Sequence, residues 1–270
     1  MLSLALIASA GCDRRPPALQ FDVTFPEARA DAKPIDGRLL VMLSTDSSRE
    51  PRFLVNNNVA VTQQIFGIDV EEQAPASRIT LDASALGYPI ENLLDLPPGD
   101  YTIQALFNRY ETFHRQDGHV VKLAMDQWEG QRWSTKPGNF YSVPRKVRID
   151  PREGGAVALA LEKEIPPLPF PKDTKYVKYL RIQSKLLSEF WGRPIGLGAF
   201  VLVPEGFDER PDARYPLIVS QGHFQTYFEG SSGQTPTKFA ESPPDPKLTG
   251  DEQLVAEQSH RFYKDWTSGR

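Results

Sequence analysis

The chain has 270 residues, 40% hydrophobic and 24% charged, a composition ordinary for a globular protein and a length that leaves room for one large or two modest domains. A formal net charge of -4, with no basic stripe along the chain, offers no footprint for nucleic acid. The 24 prolines favour a β-rich, loop-rich architecture over a helical one, and the single cysteine, Cys12, excludes an internal disulfide.

The first twelve residues, MLSLALIASAGC, are an apolar run that ends in small residues and then Cys12. The run is too short to span a bilayer and reads as a secretory leader. Ala10-Gly11-Cys12 resembles the bacterial lipoprotein cleavage box, and the resemblance implies lipidation of Cys12 after cleavage. The expected location is then outside the cytoplasm, as a periplasmic, outer-membrane or cell-surface lipoprotein touching membrane only through that anchor. An ordinary signal peptide is the alternative. Residues 13–17, DRRPP, read as a tether.

From there the chain is written in short alternating segments: 19–25, 37–44, 77–83, 101–107, 119–125, 145–150 and 156–162. A period of two over four to eight residues is the signature of a half-buried strand, because successive side chains point to opposite faces. In YTIQALF, Tyr101, Ile103, Ala105 and Phe107 share one face. Many short strands separated by turns predict a β-sandwich over residues 18–162. Pro98-Gly99 makes a turn that leads at once into this strand. It resembles the entry to a late strand in Ig-like and carboxypeptidase-regulatory-like sandwiches.

Residues 110–121, YETFHRQDGHVV, carry Asp117-Gly118 between two strand-like runs, a strong hairpin signal. Such a hairpin sets His114 and His119 across the turn. With Glu111 and Asp117 these are residue types that hold zinc, so His114 and His119 are weak metal candidates beside the plainer reading of a decorated hairpin. No cofactor is expected. Trp128, Trp133, Phe140 and Tyr141 follow, suited either to packing or to a glycan-binding face.

Residues 163–175 form a linker, extended and semi-rigid because of Pro166, Pro167, Pro169 and Pro171. Beyond it, 176–188 and 194–207 read as two strands joined by a turn at FWGR. YPLIVSQ (215–221) reads as a strand buried on both faces. A helix follows over 249–269, opened by a Thr249–Glu252 capping box and stopped at Gly269.

The stretch from Ile182 to Phe224 resembles the start of the esterase-type α/β-hydrolases, the group containing enterochelin esterase and esterase D-like proteins. The resemblance is carried by a strand that ends in Pro204, Gly206 and Phe207, a polar turn, the Tyr215-Pro216 opening of an apolar strand, and the break at Gln221-Gly222-His223. It implies serine-type hydrolysis of a small-molecule or glycan ester. The backbone at Gly222, His223 and Phe224 would then supply one donor of an oxyanion hole. The second donor and the nucleophile belong to a Gly-x-Ser-x-Gly elbow, and the 270 residues contain none. The only near miss is Gly230-Ser231-Ser232-Gly233, which has the wrong spacing, and His260 sits inside the expected helix. Residues 176–270 therefore read as the truncated start of an α/β-hydrolase fold, the front portion of a longer exported esterase and inactive alone. The alternative is a non-catalytic, surface-anchored binding module in which the sandwich takes a glycan or protein ligand.

Overall fold

A computed structural model describes residues 18–25, 33–56, 59, 62–74, 76–124, 132–167, 169, 172–219 and 243–269. The chain is mainly β, with several antiparallel sheets. Its strands are β1 (Gln20–Thr24), β2 (Ile35–Ser44), β3 (Gln64–Gln73), β4 (Arg78–Leu81), β5 (Leu86–Tyr88), β6 (Gly99–His114), β7 (Val120–Leu123), β8 (Phe140–Tyr141), β9 (Arg145–Ile149), β10 (Ala156–Ala160), β11 (Lys163–Glu164), β12 (Val177–Gln183) and β13 (Gly196–Leu202). Among the described residues, two α-helices, α1 (Lys185–Trp191) and α2 (Gly250–Thr267), lie in the last third. Every alternating segment read from the sequence contains a strand. Contacts divide the chain into two units, residues 1–108 with 140–164, and residues 109–139 with 165–270. The long strand β6 runs through the first of these divisions.

In the first unit β1 lies between β10, parallel to it, and β4, antiparallel. A larger sheet has the order β11-β8-β6-β2-β3-β5, with β9 also paired to β6. The two sheets share one core, to which Phe21, Val23 and Leu81 come from the small sheet and Leu39, Val41, Phe66, Ile103 and Phe107 from the large one. That arrangement is consistent with a β-sandwich.

Sequence reading missed β3 and the short strands β5, β8 and β11; β3, the longest of them, carries its own signal, since Phe66, Ile68 and Val70 alternate and all pack into the core. Gly67, Asp69 and Glu71 stand on the opposite face, so the run alternates as strictly as the segments read as strands. Tyr101, Ile103, Ala105 and Phe107 are buried on one face of β6, as their spacing predicts. Gln104 and Leu106 on the other face are fully buried too. Burial of Gln104 requires a closed set of partners. Its amide donates to Glu50 Oε2 (2.8 Å) and to the Ser142 carbonyl (2.9 Å), and its carbonyl accepts from the Arg52 amide (3.1 Å).

The Pro98-Gly99 turn is held by the tyrosine that follows it, because the Tyr101 hydroxyl donates to the Pro97 carbonyl at 2.7 Å. Burial pushes the Tyr101 phenol up from its ordinary range. The folded state thus favours the protonated phenol, so this contribution is intact below about pH 10 and lost as the pH rises through the raised value. Tyr101→Phe is expected to cost about 1 kcal/mol at neutral pH and to remove part of the alkaline loss of stability. Urea titrations at pH 7 and above pH 10 check both, and an unchanged midpoint at pH 7 would discount the bond.

In the second unit the far half of β6 pairs with β7 around Asp117-Gly118, where Gly118 has φ of 84°. Strands β12 and β13 form a two-stranded antiparallel ladder, from Val177 opposite Leu202 to Gln183 opposite Gly196. The expected turn at FWGR is instead the end of α1. The Ser184 side chain caps this helix by accepting from the Leu187 amide (3.3 Å), and Gly192 ends it in the left-handed region at φ of 66°. The alternation in Tyr176–Ser188 hid a serine cap and a glycine stop eight residues apart, which together define a short helix. α2 forms where expected, with Gly269 left-handed after it, but the capping box does not close: Thr249 stands at the N-cap without a side-chain hydrogen bond.

Candidate functional site

The segment after Val203 is built around Glu205. Its carboxylate accepts from the Tyr176 hydroxyl and from Lys175 Nζ (2.9 Å), and those two bonds hold the Glu205 carboxyl below its usual range. The same bond raises the Lys175 ammonium. Gly206 has φ of 72°, and a Cβ there would meet Arg210 Nη2 at 2.5 Å, while Arg210 Nη2 donates to the Glu205 carbonyl (3.2 Å). Pro204–Phe207 is therefore a tight turn whose left-handed position favours glycine, while the Arg210 side chain could swing aside. The Phe207 ring lies 5.7 Å from that of Tyr215, whose buried hydroxyl has no hydrogen-bond partner among the described residues.

Beyond Tyr215 the expectation of a buried strand fails over the described residues. Residues 213–219 form no strand, and Leu217, Ile218 and Val219 are 81%, 75% and 77% exposed. A strand satisfies its backbone groups through its neighbours, and no described strand pairs with this run. The oxyanion-hole candidates Gly222, His223 and Phe224 lie outside the described residues, as does the lipidation candidate Cys12.

The hairpin histidines are not brought together. His114 pairs in register with Val120, while the His119 carbonyl accepts from the Arg115 amide (2.9 Å). The His119 ring turns to Asp117, with Nδ1 3.2 Å from Oδ1. Among the described residues no three His, Cys, Asp or Glu side chains form a group suited to a metal ion. Trp128 lies outside the described residues. Phe140 is buried in the first core, and the Arg52 guanidinium covers Tyr141 at 4.0 Å, so neither ring offers a flat exposed platform.

Two recesses stand out among the described residues. One of about 410 Å³ in the second unit is lined by Gln183, Lys185, Ser188, Glu189, Arg193 and Pro194. Its only hydroxyl, on Ser188, donates to the Ser184 carbonyl (2.6 Å) and accepts from the Ile195 amide (2.9 Å), so it serves the helix rather than a reaction. The other, about 240 Å³, lies in the first unit beside Ser44, Thr62, Gln64, Ile90 and Tyr101. The Gln64 amide group is spent on the Ile90 backbone, accepting from its N–H and donating to its carbonyl, both at 2.9 Å. Neither recess holds a nucleophile beside a base. His260 lies half-buried on α2. Among the described residues no helix is long and apolar enough to cross a membrane. Comparison with protein-family models, with curated proteins and with solved structures found no match.

Proposed function

We propose that residues 176–270 are the opening portion of an esterase-type α/β-hydrolase, set behind an Ig-like or carboxypeptidase-regulatory-like β-sandwich in an exported protein anchored through Cys12. The activity of the whole hydrolase is serine-type cleavage of a small-molecule or glycan ester, and the 270-residue chain does not carry it out. One observation supports this most. Over the described part of 172–269 the buried hydrophobic residues are Val177 and Val203, whereas Leu180, Ile182, Leu197, Leu217, Ile218 and Val219 are exposed. A two-stranded ladder is marginal on its own, and this one bares apolar side chains that further strands of a hydrolase sheet would cover. The order of the parts agrees: an adjacent strand pair, a Pro-x-Gly-Phe turn, then an apolar run opened by Tyr215-Pro216.

The chain should neither hydrolyse p-nitrophenyl esters above buffer nor take a fluorophosphonate label, since an elbow serine and its second oxyanion donor are both absent from its sequence. A longer product of the same reading frame is expected to contain a strand–Ser–helix elbow and to hydrolyse an ester, and changing that serine to alanine should abolish turnover. Labelling of the 270-residue chain, or a frame without an elbow, overturns the proposal. The second reading, a surface-anchored binding module, draws on the single continuous core among the described residues of the first unit and would be favoured by glycan binding to residues 18–162.

A further inference from the structure

We infer that the β6–β7 hairpin is a clasp that grips the end of α1 and keeps residues 167–270 attached when the proline-rich linker is cut. The chain passes between its two units near residues 108, 139 and 164, so the hairpin arises from the first unit's strand β6 yet belongs to the second. Helix α1 has seven residues and none is buried, too little to hold itself together. Its C-terminal end is met by the hairpin in four ways.

The Gln116 amide donates to the Phe190 carbonyl at 2.8 Å, satisfying an acceptor that the helix end leaves open. The Arg115 guanidinium lies over the Phe190 ring (4.8 Å) and the Trp191 ring (5.7 Å), while Asp117 pairs with it from within the hairpin. The Phe113 ring meets Trp191 edge to face at 5.4 Å. Arg193 lies over Phe113 at 5.2 Å and pairs with Glu111. Gly192 makes the close approach possible, because a Cβ there would stand 2.5 Å from the His114 carbonyl oxygen. The glycine thus serves the left-handed helix stop and the fit of the hairpin at once. Ion pair, cation–π, aromatic and backbone contacts fall on one short helix end, which is a specific fit rather than a general apolar one. All of these groups on the hairpin side precede the linker, and all on the helix side follow it.

A protease recognition sequence placed between Pro166 and Pro167 of the full chain tests the clasp. After cleavage the two pieces are expected to co-elute from a sizing column in plain buffer and to separate in urea. Cut protein carrying Arg115→Ala and Gly192→Val should elute as two separate pieces, with the uncut variant keeping the wild-type far-ultraviolet spectrum. Should that variant fail to fold, Glu111→Arg is expected to weaken the association and Glu111→Arg with Arg193→Glu to restore it. Separate elution of the cut wild-type pieces overturns the inference. So does co-elution that survives both Arg115→Ala with Gly192→Val and Glu111→Arg, because the attachment would then lie elsewhere.

Discussion

Phe107→Ala is expected to destabilise the first unit by about 3–5 kcal/mol, the cost of deleting a buried aromatic ring and leaving a cavity. Phe107 is fully buried at the middle of β6, and its ring meets Phe25 edge to face at 4.9 Å. The other side of the ring seats against Gly37, where a Cβ would stand 2.5 Å from Phe107 Cζ. Because β2 and β6 approach so closely there, neighbouring side chains have little freedom to fill the space. Leu94→Ala, at a residue 42% exposed, serves as the comparison and should change stability by less than about 0.5 kcal/mol. Urea unfolding followed by circular dichroism separates the two. Similar midpoints for both variants would contradict the assigned core.

The second large effect concerns Leu217, Ile218 and Val219. Among the described residues they are the longest contiguous stretch of exposed large hydrophobics, in an uncharged, β-prone run, which makes them a binding point for apolar dyes and for other copies of the chain. Replacing all three with serine is expected to remove most of the 8-anilinonaphthalene-1-sulfonate fluorescence and to suppress concentration-dependent association. The unfolding midpoint of the first unit should not move, since none of the three contributes to its core. Light scattering and dye titration across a range of protein concentrations measure both effects. Dye binding that survives the triple change would mean that the run is covered, and would remove the main support for an incomplete hydrolase sheet.

Much of the first unit is legible in the sequence. Each alternating segment became a strand because, where one face is buried, a period of two leaves a single pleat that hides the apolar set. The Asp117-Gly118 turn was equally readable, since only glycine takes the left-handed second position at little cost. The candidate site was not legible to the same degree. A break such as Gly222-His223 has meaning only against a nucleophile and a second donor that the sequence does not contain. The facing of His114 and His119 failed for a simpler reason: a hairpin's register is settled by its loop, and this loop sets Val120, not His119, opposite His114.

What the sequence by itself determined is the alternation that makes strands, the positions of the glycine and proline turns, and the absence of an elbow serine, all of which depend on a few neighbouring residues. The tertiary structure decided the rest. Short-range capping signals at Ser184 and Gly192 prevailed over a strand-like pattern in α1, where the end of the helix also found a hairpin to hold it. Gln104 was admitted to the interior only because Glu50, Arg52 and Ser142, distant in the chain, converge to satisfy it. Pro216–Val219, apolar enough to be a buried strand, is left exposed because a strand is made by its neighbours, and among the described residues it has none.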